Sequence, residues 1–351
     1  MLLSPHTNKR RQELQATDSK SGSTSSSRKA ITATAKRTAA QGKASAFTIG
    51  GSIPAVVTPF TSGGHIDMGR FEALVNDLIV KGSDAIVVAG TTGESATVNF
   101  EEHCALIARG VQIVVGRVPV IAGSGANSTA EAIELSLAAK RLGAQAHLSV
   151  VPYYNKPSQG GIYKHFKAIA EAVELPLILY NVPGRTVADV SNDTVLRLSK
   201  LRQIVGIKDA TADIERGIDL LRRAPSGFRI YSGDDGTAVA LMLLGAHGTI
   251  SVTANVAPEQ MAALCAAATS GNAQEAKAIN DQLAELHQTL FLEPNPAPLK
   301  WMLHRLSHCS AAVRMPLTTC QPATVPFLEQ ALQTAGLLQA KRRGLTSKSA
   351  R

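Results

Sequence analysis

The chain of 351 residues carries a formal net charge of +9, with 44% hydrophobic and only 4% aromatic residues, enough length for one large domain packed mainly with aliphatic side chains. The positive charge sits at the two ends, +7 over residues 1–48 and +5 over residues 341–351, leaving the body at −3, so nucleic-acid binding would have to rely on the ends alone. No apolar run reaches the ~18 residues that a membrane-spanning helix needs.

Residues 1–48 are rich in Ser, Thr, Ala, Lys and Arg without hydrophobic periodicity, which predicts a disordered basic extension. Their acid-poor, Arg/Ser-rich composition also has transit-peptide character, although without amphipathic spacing. The cytoplasm is the expected compartment, or a plastid if this segment is a transit peptide. From residue 49 a barrel domain is predicted to run to 272. Within it short β-branched runs recur at 53–58, 84–90, 118–123, 146–151, 176–180, 204–208, 228–233 and 247–251, their starts 19 to 34 residues apart. Each interval accommodates one helix and two loops. Apolar strands alternating with helices predict a parallel sheet covered on its outer face, and eight such units predict an α/β fold, a closed (β/α)8 TIM barrel.

Helix signals support this. Ser128 and Glu131 have capping-box spacing ahead of a helix through Leu142 that stops at Gly143, and Pro258 suits the first turn of a helix through Ala268. Residues 273–340 predict a small C-terminal helical region, with stretches at 273–290 and 325–338 and breaks at Pro294, Pro296 and Pro298, followed by a disordered basic tail over 341–351. Cys104, Cys265, Cys309 and Cys320 show neither CxxC nor metal-ligand spacing, so reduced thiols are expected.

Barrel chemistry belongs where strands end, and unusual residues collect there. Lys208 closes the apolar run Ile204-Val205-Gly206-Ile207, which directs its amine into or over an apolar interior. Desolvation disfavours the ammonium form and frees an amine to attack a carbonyl. A lysine snorkelling to the rim or paired with Asp209 fits the same position. Tyr180, at the adjacent strand end, is either a proton relay or a buried tyrosine with a satisfied hydroxyl. Thr91-Thr92-Gly93 offers hydroxyls and approachable backbone N–H groups for a small carboxylate, without the lysine of a phosphate loop. Gly123-Ser-Gly125-Ala-Asn127 lacks the third glycine of a dinucleotide fingerprint. Arg185, in a proline-glycine turn, is either a bidentate carboxylate clamp or a solvated loop arginine.

Taken together, GTTGESAT (90–97), VPYYNKPSQGGIYKHF (151–166), LYNVPGRT (179–186), GIKDAT (206–211), SGDD (232–235), GTISVTANV (248–256) and EPNPAPLKW (293–301) resemble the dihydrodipicolinate synthase (4-hydroxy-tetrahydrodipicolinate synthase) family. That family belongs to the superfamily of pyruvate-dependent class I aldolases that includes N-acetylneuraminate lyase. The resemblance covers about residues 50 to 340 and implies a lyase that condenses pyruvate with L-aspartate 4-semialdehyde, the first committed step of diaminopimelate and lysine biosynthesis. It implies Lys208 as the Schiff-base nucleophile, a proton relay of Tyr180, Thr91 and Tyr154 with Tyr154 supplied by a neighbouring subunit, and substrate binding by Thr92, the Ile250 backbone and Arg185. It also implies a homotetramer built from tight dimers and no metal or other cofactor.

The resemblance further implies an L-lysine feedback site of Ser95, Ala96, His103, Asn127, Glu131 and Tyr153. Glu131 has a competing capping role, His103 also suits a helix surface, and Phe100 stands where lysine-sensitive bacterial members often carry histidine. The alternatives are another pyruvate-dependent aldolase, cleaving N-acetylneuraminate or a 2-keto-3-deoxy sugar acid, and a nucleic-acid-binding barrel using its basic tails.

Overall fold

Eight parallel strands close on themselves in the computed structural model, which describes residues 48–339. The expectations for the basic extension, apart from its last residue, and for the tail over 341–351 lie outside the described residues. The strands are β1 (Gly51–Pro54), β2 (Ile86–Val88), β3 (Val120–Gly123), β4 (Ala146–Val150), β5 (Leu177–Asn181), β6 (Ile204–Asp209), β7 (Arg229–Ser232) and β8 (Gly248–Ser251). Every predicted run contributes a strand, in the order β1-β8-β7-β6-β5-β4-β3-β2. The ring closes where Ala55 bridges Val87 in parallel and the Val56 N–H donates to the Val87 carbonyl at 2.9 Å. This is the expected TIM barrel.

Alternation along the strands divides the core in two. Ile53, Val87, Ile121, Leu148, Ile178 and Ile250 fill the barrel interior, while Ile86, Val88, Ala122, Leu177, Leu179 and Ile207 face the helices. At ~25 cal/mol per Å² of apolar area, each fully buried aliphatic side chain contributes about 2 kcal/mol, and both layers are built of them.

The helix signals hold with small shifts. Ser128 caps Thr129–Arg141 by accepting from the Glu131 N–H at 3.4 Å, and Gly143 follows with φ +91°. Pro258 opens Pro258–Thr269 in its first turn. The C-terminal helices are Ala273–Thr289, Ala297–Arg305 and Val325–Thr334, and their Leu283, Leu286, Leu299, Met302 and Leu328 join the same core as the barrel helices. Pro298 does not break the chain as expected. It lies in the first turn of its helix, where a missing N–H costs nothing. All four cysteines are free. Among the described residues no helix is long and apolar enough to cross a membrane.

Candidate active site

Lys208 is the fifth residue of β6 and is only 5% exposed. Parallel register places it between Tyr180 on β5 and Tyr231 on β7, with Nζ 4.3 Å from the centroid of the Tyr180 ring. Asp209 is not its partner. The Asp209 carboxylate instead accepts from the Thr211 N–H at 3.0 Å and from Arg216 Nε at 3.2 Å; burial pushes its carboxyl up, against the opposing pull of those two partners. Among the described residues no carboxylate lies within ion-pairing distance of Lys208, and the snorkelling alternative fails on burial. What remains is an uncommitted amine over an aromatic ring, at the strand ends where barrels do chemistry.

The two tyrosines flanking it are not equivalent. The Tyr231 hydroxyl donates to the Ile49 carbonyl at 2.7 Å, and Ile49 precedes β1, so that hydroxyl points to the opposite end of the barrel. Tyr180 is 7% exposed, and its hydroxyl meets no hydrogen-bond partner among the described residues. Of the pair, only Tyr180 has a proton to move near Lys208.

Thr92 is 3% exposed, and its hydroxyl oxygen accepts from Asn295 Nδ2 at 3.0 Å. That contact leaves the Thr92 O–H free to donate to a ligand. Thr91, partly exposed beside it, gives its carbonyl to the Glu94 N–H at 3.0 Å. Ile250 is wholly buried in the interior cluster that contains Tyr180. Arg185, exposed on the turn Pro183–Thr186, donates through Nη2 to the Asn295 carbonyl at 3.3 Å. Asn295 therefore touches both Thr92 and Arg185.

Tyr154 stands apart. It is 87% exposed with a left-handed backbone, φ +71°, a conformation disfavoured for a bulky residue and one that points to function. Its N–H donates to the Thr186 carbonyl at 3.4 Å, and its hydroxyl meets no hydrogen-bond partner among the described residues.

Of the second constellation, Tyr153 lies beside both Asn127 and Glu131. Ser95 and Ala96 lie on a single turn, Ser95–Thr97, after β2. His103 is not the surface histidine that its helix position allowed: it is 5% exposed, its Nε2 hydrogen-bonds the Gly123 carbonyl at 2.7 Å, and burial pushes its pKa down. A neutral ring donating from Nε2 keeps a lone pair on Nδ1. Burial and then the nearby Glu131 carboxylate push the Tyr153 phenol up, against a hydrogen bond to the Asn127 backbone. The Glu131 side chain does not reach back to complete the capping box, and among the described residues its carboxylate has no ion-pair or hydrogen-bond partner.

Beyond Gly233, a cavity of about 280 Å³ is lined by Asp234, Gly236, Asn280, His287, Gln288 and Phe291 together with Ala284. Neither Lys208 nor Thr92 lines it.

Sequence reasoning marked Gly233 within SGDD but missed its closeness to Lys208, and it missed the contacts of Asn295, Lys300, Glu94 and Arg314. Asn295 and Lys300 stand inside EPNPAPLKW, but their partners, Thr92 and Glu94, lie about two hundred positions earlier, and no local spacing marks such a contact.

Residues 48–335 match the dihydrodipicolinate synthetase family. The chain is 58% identical over 290 residues to the 4-hydroxy-tetrahydrodipicolinate synthase of Dechloromonas aromatica, covering 83% of this chain and 99% of that protein. It is 57% identical to the enzyme of the same name from Nitrosospira multiformis, covering 82% and 96%. Among solved structures it is similar to the chloride-inhibited dihydrodipicolinate synthase of Acinetobacter baumannii complexed with pyruvate, at a TM-score of 0.82 and 52% identity over 83% of this chain and all of that one. It is also similar to the Cyanidioschyzon merolae enzyme with lysine bound, at a TM-score of 0.81 and 40% identity over 83% and 99%.

Proposed function

The chain belongs to the dihydrodipicolinate synthetase family, and from that membership and the geometry around Lys208 we infer that it is a Schiff-base-forming lyase, a 4-hydroxy-tetrahydrodipicolinate synthase. It condenses pyruvate with L-aspartate 4-semialdehyde at the entry to diaminopimelate and lysine biosynthesis. The observation that carries the reading is Lys208, buried at the C-terminal end of β6 with no counter-charge among the described residues and with its amine over the Tyr180 ring.

The chemistry follows from the groups present. The Lys208 amine attacks C2 of pyruvate, and the carbinolamine loses water to give a protonated imine. That imine is the electron sink for loss of a methyl proton. The resulting enamine forms a carbon–carbon bond to the aldehyde carbon of the second substrate. The α-amine of that substrate then attacks the imine carbon, closes the ring and expels the Lys208 amine. The free Thr92 O–H and the Ile250 backbone receive the pyruvate carboxylate region. Tyr180, Thr91 and a neighbour's Tyr154 carry protons to and from the carbinolamine oxygen, and Arg185 holds the carboxylate of L-aspartate 4-semialdehyde.

The exposure of Tyr154 supports assembly as a homotetramer of tight dimers. The open Nδ1 of His103 and the uncommitted carboxylate of Glu131 support an L-lysine feedback site with Ser95, Ala96, Asn127 and Tyr153. The bacterial relatives support a cytoplasmic setting. Neither a sugar-acid aldolase nor a nucleic-acid-binding barrel is favoured, since relatives at 57–58% identity carry the synthase name.

Borohydride reduction with pyruvate, followed by peptide mapping, tests the central claim: the adduct is expected on Lys208, and an adduct elsewhere or none would overturn it. Turnover with L-aspartate 4-semialdehyde, set against cleavage of N-acetylneuraminate and 2-keto-3-deoxygluconate, tests the substrate.

A further inference from the structure

The loop carrying Thr91 and Thr92 is braced by charged groups that the chemistry above does not use. Glu94, two residues after Thr92, is 3% exposed and left-handed at φ +56°. Its own N–H holds the Thr91 carbonyl, and both of its carboxylate oxygens are engaged by the C-terminal helical region. Oε1 forms an ion pair with Lys300, an ionic contact rather than a well-aligned hydrogen bond. Oε2 accepts from the Arg314 backbone N–H at 2.9 Å.

Both partners are themselves fixed. Lys300 is fully buried, donates to the Ala312 carbonyl at 2.9 Å and lies 4.1 Å from the Phe60 ring centroid. The Arg314 guanidinium forks onto Glu102, at 2.6 Å to each oxygen, and covers the same Phe60 ring at 4.5 Å. On the other side of the loop the Thr58 hydroxyl donates to the Gly93 carbonyl at 2.6 Å. Gly93 sits so close that a Cβ there would lie 3.1 Å from the Val56 carbonyl oxygen.

An ion pair buried this completely is weak support for stability, because desolvation offsets most of its attraction. Its directional value is another matter, since it ties the residue two places after Thr92 to the C-terminal helical region. We propose that the Lys300–Glu94 pair is the positioning device of the pyruvate site, setting the distance of the Thr92 hydroxyl from the Lys208 amine. The inference rests on the reading of Thr92 as a pyruvate-binding group. Displacement of such a group by about 1 Å can cost on the order of a hundredfold in rate.

A double-mutant cycle between Glu94→Gln and Thr92→Val separates positioning from mere structural support, read as the pyruvate concentration that half-saturates borohydride trapping on Lys208. Glu94→Gln is expected to raise that concentration about tenfold or more, and to add less than about twofold when Thr92 is already Val, because both act through one hydroxyl. Additive effects, or an unchanged half-saturation, would overturn the proposal. Glu94→Asp keeps a counter-charge for Lys300 while withdrawing the carboxylate by one methylene, and it decides the cycle in the same way should the Gln variant fold poorly. A native chain that traps no pyruvate overturns the proposed function itself, whereas trapping on Lys208 with an additive cycle overturns only the positioning role.

Discussion

A Cβ built on Gly233 would lie 2.8 Å from Cε of Lys208 and 2.9 Å from its Cγ. Lys208 takes this path past the residue after β7 because that residue has no side chain. Gly233→Ala must push the lysine off its path, and a misplaced amine loses the near-attack geometry that makes imine formation fast. Pyruvate trapping on Lys208 is expected to slow by about a hundredfold. Overpacking costs only about 1–3 kcal/mol, so circular dichroism should still report a folded barrel. Native-like trapping kinetics in this variant would show that the lysine has another route.

Tyr180 and Tyr231 flank Lys208 on neighbouring strands, yet among the described residues only the Tyr231 hydroxyl has a partner. Tyr180→Phe keeps the ring beneath the amine and removes the proton relay. Turnover is expected to fall about 10²- to 10⁴-fold, as for loss of a general acid–base group, with the Lys208 adduct still forming, more slowly. Tyr231→Phe removes a hydrogen bond at the far end of the barrel and should lower the melting temperature with little effect on turnover. Equal losses of activity in both variants would contradict the assignment.

Lys208 and the eight strands were legible because each strand is a local apolar run, and the lysine stands at the end of one of them. The geometry of β5 and β6 then decided what sequence left open, namely whether Lys208 pairs with Asp209: Arg216 already occupies that carboxylate. His103 could not be read correctly from its own helix, because the group that buries and bonds it, the Gly123 carbonyl, comes from β3. Glu131 was misleading for the opposite reason. Its spacing from Ser128 is right for a reciprocal cap, but only its backbone takes part. The pairings of Lys300 with Glu94 and of Arg314 with Glu102 left no local signal, since ion pairs closed across about two hundred positions carry no period.

Tyr154, exposed and strained at φ +71°, gives a prediction about assembly. Lys208→Ala and Tyr154→Phe chains should each be nearly inactive alone. If Tyr154 serves a neighbour across a two-fold interface, mixing and reassociating them rebuilds one complete site in each mixed dimer. Roughly a quarter of native activity should return for random pairing. No recovery, with mixed dimers demonstrated by native mass spectrometry, would place Tyr154 in its own subunit's site or outside the relay.

The Glu131 carboxylate lies near Tyr153 and is not tied to the Ser128 backbone. An ammonium-bearing inhibitor would therefore meet an uncommitted charge. Glu131→Gln is expected to raise the L-lysine concentration for half-inhibition about tenfold or more, the scale of one charge-assisted hydrogen bond, while leaving uninhibited turnover unchanged. A lysine titration that does not shift would remove Glu131 from the feedback site.

Two histidines make stability depend on pH in a direction that can be worked out. His147 is fully buried with Nδ1 on the Ser124 hydroxyl at 2.8 Å, and burial pushes its pKa down to about 3. His165 is 5% exposed with Nδ1 on the Thr129 hydroxyl at 2.9 Å, and burial lowers it to about 4. In the unfolded chain both return to about 6.5. Between 6.5 and those depressed values the unfolded state binds protons that the native state refuses, so unfolding becomes easier as the pH falls. The contribution is intact above about 6.5 and is lost progressively below it. From pH 6 to pH 5, each histidine should remove about 1 kcal/mol from the free energy of unfolding, measurable by urea titration at fixed protein concentration. His147→Gln should remove about 1 kcal/mol of the total loss, the share of one such ring. A pH-dependent loss as large in His147→Gln as in the native chain would mean that the His147 ring is protonated in the folded barrel.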